Sequence, residues 1–325
     1  MSEHTKIQWA DHTFNPWIGC TKISPGCAHC YAEARDKRHL IEPVDHWGKG
    51  APRLRTSAAN WRLPVKWNRE RETLISQRRY RGDFTTLMPR RARVFCASLA
   101  DWLDEEVPVE WLADLLQLIH DTPHLDWLLL TKRPETWSQR LLHAFGGCRI
   151  APASQEFLKR WLDGHPPANA WLGVSVEDQT RADERIPHLL RIPAKVRFLS
   201  CEPLLGPVDL KRHTTFMDGL RPVPTGGIHW CIIGGESGHD ARPCNLDGIA
   251  SLVAQCHAAG VAPFVKQLGA LPITDNANLY DWDTEPKLLA INEGFAAAHI
   301  ALKDKKGGDF AEFPDQLKFR QFPAC

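Results

Sequence analysis

The sequence predicts an α/β fold, a full or partial (β/α) barrel with a C-terminal extension. Three observations carry this. Six short apolar runs recur along the chain, helical patterns lie between several of them, and each run ends in polar residues. The runs are 94–98, 127–131, 171–175, 196–200, 230–234 and 262–266. Each is short, rich in β-branched or aromatic residues, and followed by polar residues, as suits a strand buried in a parallel sheet. A further strand fits within 7–19, just ahead of a cluster of cysteines.

Between the runs, 109–119 carries apolar residues at helical spacing, with Pro108 and Glu110 suited to its first turn. Segments 181–190 and 246–259 read the same way, the second with Asn245 as its cap. Strand, loop, helix and strand in repeated order predict βα units. The uneven loops favour a barrel, and an open doubly wound sheet is the other arrangement such units allow. The G-x-G-x-x-G dinucleotide fingerprint is absent.

With 325 residues, 43% of them hydrophobic, the chain can bury one large core or two smaller ones. The organisation expected is a barrel over 1–270 carrying a basic insertion at 61–93, then an extension over 271–325 packed on it. Forty basic residues against 39 acidic ones leave no overall attraction for a polyanion. The opening is polar and no apolar run reaches the length of a membrane span, so a cytoplasmic protein is expected. In that reducing setting, clustered cysteines point to a metal or to catalysis rather than to disulfides.

The cluster is Cys20, Cys27 and Cys30, in a loop that also holds Gly19, Pro25 and Gly26. A structural zinc takes four ligands, so a closed site needs a nitrogen from His12 or His29. A cubane iron–sulfur cluster held by three thiolates instead keeps one iron open for another ligand. Cys96, Cys148, Cys201, Cys231, Cys244, Cys256 and Cys325 are scattered and read as small buried hydrophobes.

In βα barrels the working residues sit where strands end. Here the ends supply Ser98 and Asp101, then Lys132 and Arg133, then Ser175 and Glu177, then Glu202, then Gly234, Gly235 and Glu236, then Lys266 and Gln267. Glu202, Glu236 and Lys132 are the candidate catalytic groups. Ser98, Asp101, Ser175, Glu177, Gly234 and Gly235 are candidates for holding a cofactor. Arg133, Lys266 and Gln267 are candidates for holding a substrate, Arg133 as a bidentate partner for a carboxylate or phosphate. Caps, turns and core-edge ion pairs are the alternative reading of each. The 61–93 segment sets ten basic residues, among them Arg78, Arg79 and Arg81, against Glu70, Glu72 and Asp83, with Trp61, Trp67 and Tyr80 interleaved. That pattern suits either a nucleic-acid face or a solvated insertion whose tryptophans pack inward.

Several motifs carry a resemblance. Asn15-Pro16-Trp17-Ile18-Gly19-Cys20, the run 24–32, Thr131-Lys132-Arg133-Pro134, Ser200-Cys201-Glu202-Pro203-Leu204 and Gly234-Gly235-Glu236-Ser237-Gly238 occur in order. Together they resemble the three-Cys-motif phage proteins, a family of unknown function. The cysteine loop on a βα scaffold also resembles the radical S-adenosylmethionine superfamily, which spaces its cysteines by three residues and then two. Here the gaps are six and two. The resemblance implies a 4Fe-4S cluster on Cys20, Cys27 and Cys30, S-adenosylmethionine at its open iron, and a reductant that supplies electrons. It further implies a 5′-deoxyadenosyl radical acting on a nucleobase, nucleotide or nucleic acid, with a partner protein possible. The alternative is a non-catalytic nucleic-acid-binding protein with structural zinc. A third reading is a barrel hydrolase using Glu177, Glu202 and Glu236.

Overall fold

A computed structural model describes residues 5–39, 43–80, 90–148, 151–212, 227–276, 287–292 and 295–323. Arg81, Asp83 and Cys325 lie outside the described residues, as do the side chains of Arg78, Arg79 and Tyr80. The chain packs as two compact units. The first comprises Met1–Ile23, Cys30–Gly173 and Ile192–Lys195; the second comprises Ser24–His29, Val174–Arg191 and Val196–Cys325.

The first unit holds β1 (His12–Phe14), β2 (Trp17–Ile18), α1 (Tyr31–Asp36), β3 (Leu54–Arg55), α2 (Ala58–Trp61) and α3 (Leu63–Tyr80). It continues through β4 (Ala92–Cys96), α4 (Val109–Asp121), β5 (Leu125–Thr131), α5 (Trp137–Gly147) and α6 (Pro152–Leu162). The chain of β6 (Ala170–Ser175) passes from the first unit into the second. The second then holds α7 (Gln179–Arg191), β7 (Val196–Cys201), β8 (Trp230–Gly234), β9 (Cys244–Asn245), α8 (Leu246–Ala258) and β10 (Ala262–Gln267). It ends with β11 (Pro272–Thr274), β12 (Lys287–Asn292) and β13 (Phe295–His299).

The fold is α/β. Among the described residues its main sheet has seven strands in the order β1-β4-β5-β6-β7-β8-β10. The β1/β4, β4/β5, β7/β8 and β8/β10 pairings are parallel. All six apolar runs read from the sequence are strands of this sheet, and the further strand expected in 7–19 is β1. Every residue of β4, β6, β7 and β8 is buried, so both faces are covered, which is why these strands carry no alternation.

The helical expectations also hold. Helix α4 buries Leu112, Leu115, Leu116 and Ile119, with Pro108 at its N-cap. Helix α8 is capped by the Asn245 side chain, which accepts from the Asp247 N–H. Aromatic rings fill each unit's core. In the first, Trp61 and Trp127 meet Phe14 edge-on at 5.5 and 5.7 Å. In the second, buried Phe198 and Phe264 meet Trp230 at 5.8 and 6.0 Å, and the exposed Phe322 covers it at 5.4 Å.

Three features are not among the expected elements. Helix α3 occupies the basic segment, and α5 and α6 follow β5. A second sheet, β12-β13-β11-β9, joins the short strand at 244–245 to strands beyond 270. In the basic segment Trp67 is buried and stacks on His12 at 4.2 Å. The Arg55 guanidinium lies 4.3 Å from the Trp61 ring centroid. Both tryptophans are thus engaged by the rest of the first unit. Among the described residues, no helix is long and apolar enough to cross a membrane.

Asp126, the second residue of β5, is buried with Arg91 3.5 Å away. Burial raises its carboxyl to about 6, and the attraction of Arg91 only partly offsets this. A raised folded-state pKa stabilises fully below the ordinary value of 3.8, and that contribution is lost as pH rises through about 6. Asp126→Asn is therefore expected to stabilise the protein at pH 7.5 by about 1–3 kcal/mol and to flatten the loss between pH 4 and 6. Urea unfolding of both proteins across that range checks this.

Candidate functional site

Cys20 belongs to the first unit and sits in a polar network built on two buried arginines. Gly19 before it has φ +111°, and a Cβ there would collide with the His46 carbonyl, so only glycine delivers the chain at this point. The Cys20 carbonyl accepts from Gly48 N–H at 2.9 Å. Arg133, 5% exposed, donates to Asp101 at 3.1 Å and to the Thr21 carbonyl at 2.7 Å, and its Nη1 lies 3.6 Å from Cys20 Sγ. Asp101 is held in turn by the Thr131 hydroxyl and by the N–H groups of Leu103 and Lys132. Arg53, also buried, donates to the Thr21 hydroxyl, Asp104, Glu106 and three backbone carbonyls. Burial and the Asp101 charge push the Cys20 thiol up to about 12, against the pull of Arg133. At neutral pH this sulfur keeps its proton, and a metal that binds it must displace that proton.

Cys30 caps α1 and packs with Trp47 and Leu54 against Ile18, Ala32 and Leu99. Ser98, at the end of β4, exchanges hydrogen bonds with the Asn15 amide, and its carbonyl accepts from Tyr31 Oη at 2.6 Å.

Cys27 belongs to the second unit, on a short 3₁₀ turn, Pro25–Cys27. Two carboxylates hold this segment. Glu177, just after β6 and 0% exposed, accepts from Arg185 Nη1 and from the Ser24 hydroxyl, both at 2.7 Å. The Ser24 oxygen is also 3.6 Å from Cys27 Sγ. Gly26 lies so close to the Glu177 side chain that a Cβ would overlap it. Glu236, just after β8, is clamped by Arg242 through Nε at 3.0 Å and Nη2 at 2.8 Å, and meets His29 Nδ1 at 3.0 Å. The same Arg242 donates through Nη1 to the Pro25 carbonyl at 2.9 Å. Burial alone would raise the Glu236 carboxyl, but the hydrogen bonds from Arg242 and His29 outweigh it and hold it at about 2. Its stabilising contribution is present above the ordinary 4.5 and is lost as pH falls toward 2.

The remaining strand-end residues of the second unit meet one another. Lys266 Nζ lies 2.8 Å from Glu202 Oε1, an ion pair whose angles fall short of a hydrogen bond. A Cβ on Gly234 would meet Glu202 and the Gln267 carbonyl, and one on Gly235 would overlap the Leu268 carbonyl. Gln267 Nε2 donates to the Gly235 carbonyl at 2.7 Å, and Gly235 N–H donates to the Gln267 carbonyl at 3.0 Å. Both glycines thus permit close approach of the chain that follows β10. The Ser175 carbonyl accepts from Arg185. Lys132 is half-buried and gives its backbone N–H to Asp101. Of the scattered cysteines, Cys96, Cys201, Cys231, Cys244 and Cys256 are buried and Cys148 is half-buried.

Sequence reasoning did not single out Arg53, Arg185, Arg242 or Ser24. Arg242 had a visible signal, a cation six residues beyond Glu236 in a glycine-containing loop. Arg53 is separated from Asp104 by 51 residues and had none. Among the described residues, no three His, Cys, Asp or Glu side chains are gathered as a metal-holding group. The surroundings of two sulfurs nevertheless fit thiolate ligands: a guanidinium N–H faces Cys20 and a hydroxyl faces Cys27, the kinds of outer partner that orient ligating sulfurs.

The chain belongs to the family described as Protein of unknown function (DUF5131), which matches residues 4–307. No curated protein and no solved structure matches it.

The close approach of Gly26 to Glu177 makes a direct prediction. Gly26→Ala is expected to cost about 1–3 kcal/mol, because either the turn or the buried carboxylate must shift. Denaturant unfolding of the variant measures it.

Proposed function

We propose that this protein is an iron–sulfur radical S-adenosylmethionine enzyme acting on a nucleobase, nucleotide or nucleic acid in the cytoplasm. Cys20, Cys27 and Cys30 would hold the cluster, on a partial (β/α) barrel. The observation that carries the reading is the polar framing of two of these sulfurs. Arg133 lies 3.6 Å from Cys20 Sγ and Ser24 lies 3.6 Å from Cys27 Sγ, each tied to a buried carboxylate. A cysteine kept only as a small hydrophobe has no need of such partners.

When bound, a reduced cluster with S-adenosylmethionine supplies a 5′-deoxyadenosyl radical able to remove a hydrogen atom from a substrate. The chain's own residues position and shield. Arg133 joins Cys20 to Thr21 and Asp101, which fixes the entry to the loop. Arg185 and Arg242 neutralise Glu177 and Glu236, and these hold 24–29 through Ser24, Pro25 and His29. Each carboxylate beside the Cys27 turn thus has an arginine against it.

Anaerobic reconstitution with iron and sulfide tests this. The expected result is about four irons per chain, with a paramagnetic signal after reduction that changes on adding S-adenosylmethionine. A colourless protein holding one zinc, whose Cys20→Ala variant unfolds, overturns it in favour of a structural zinc.

A further inference from the structure

The second unit contains a cavity of about 720 Å³ that none of the groups described above uses as a site. It is built from the segments that follow β7 and β8, the opening of α8, and β11 with the residue after it. Its volume lies in the range of small-molecule sites. Leu204, Leu205, Pro207, Pro243 and Ile273 supply an apolar wall. Asn245, Asp247, Ser251 and Asp275 supply its polar groups, the first two and Asp275 joined by hydrogen bonds.

We propose that this cavity binds a nucleoside-sized ring compound through its amino and hydroxyl donors and rejects the phosphorylated form. Charge is the first reason. Arg242 borders the cavity, but two of its N–H groups are already committed to Glu236 at 3.0 and 2.8 Å. The anionic group this leaves on the wall is Asp275, which repels an anion and accepts from a donor.

Preorganisation is the second reason. Asn245 Nδ2 donates to Asp275 Oδ2 at 3.0 Å, while Asn245 Oδ1 accepts from Asp247 N–H at 2.8 Å. Asp247 Oδ2 accepts from the Thr274 hydroxyl and from Asp275 N–H, both at 3.0 Å. Among the described residues, Asp275 Oδ1 takes no hydrogen bond. The Ser251 oxygen accepts from Gln255 Nε2 at 3.1 Å, which leaves its proton for an acceptor on the ligand. An apolar wall with a few fixed polar groups is the pattern of an oriented ligand site.

Gly248 supplies the third reason. Glycine is a poor helix former, yet it stands in the first turn of α8 on the cavity wall. Packing does not require it: a Cβ there would meet only Leu204 Cδ2, at an ordinary 3.6 Å. The missing side chain instead keeps the space open.

This inference does not depend on the iron–sulfur reading, because it concerns the second unit's own residues and needs no cluster. Calorimetric titration of the purified full chain with adenosine tests it, since adenosine carries a ring, an exocyclic amine and ribose hydroxyls. Adenosine is expected to bind, and adenosine monophosphate at least about ten-fold more weakly. Gly248→Leu is expected to abolish adenosine binding with no fall in thermal midpoint. Asp275→Asn is expected to weaken adenosine several-fold and narrow its advantage over the monophosphate. If Gly248→Leu misfolds, Asp275→Asn decides. Absence of adenosine binding, equal binding of the monophosphate, or undiminished binding in both variants overturns the proposal. Displacement of adenosine by S-adenosylmethionine also overturns it, by giving the cavity to the cofactor.

Discussion

Glu177 is a carboxylate with no exposed surface, and the second unit must meet its charge. Leaving a charge buried without a partner costs several kcal/mol, of the order of 3–5 when one member of a buried pair is removed. Arg185 supplies the partner from α7, eight residues along the chain, and Ser24 supplies a hydroxyl from 153 residues away. The position of the Cys27 turn follows from that requirement. Gly26 must be glycine because the turn lies directly on the carboxylate, and Pro25 and His29 are then within reach of Arg242 and Glu236. One buried charge thus explains a serine and a glycine two residues apart and an arginine far from both in the sequence.

The first unit solves a related problem for Cys20. Asp101 is buried and satisfied by Thr131, two backbone N–H groups and Arg133. Arg133 in turn reaches the cysteine and the Thr21 carbonyl. A carboxylate, an arginine and a cysteine occur together here, as a carboxylate, an arginine and a cysteine-bearing turn do in the second unit. Each sulfur therefore has polar surroundings supplied by groups whose own positions are fixed by burial. Such supporting groups orient metal ligands and tune their basicity.

Much of the fold was legible because burial on both faces writes continuous apolar runs, and the strands β4 to β8 carry them. The Asn245 cap was legible because capping is local chemistry. Helix α3 was harder to read, since its sequence is basic and only weakly amphipathic. Strands β9 and β11 have two and three residues, too few to show a period. In the candidate site, the cysteines and the strand-end carboxylates stood out as residue types. Arg53 did not, because its ion pair with Asp104 spans 51 residues and leaves no spacing to recognise, whereas Arg242 lies six residues from Glu236 and Arg185 eight from Glu177. Arg133 shows the limit well: an arginine at a strand end suits an anionic ligand, and here its guanidinium meets Asp101, Thr21 and Cys20.

The most direct measurement of the central claim is mass-spectrometric detection of 5′-deoxyadenosine after the reconstituted, reduced protein is incubated with S-adenosylmethionine. Formation by the wild-type protein, and its loss in folded Cys20→Ala, Cys27→Ala and Cys30→Ala variants, is the predicted result. Formation that persists in all three variants, or no formation by a wild-type protein loaded with its full iron, contradicts it.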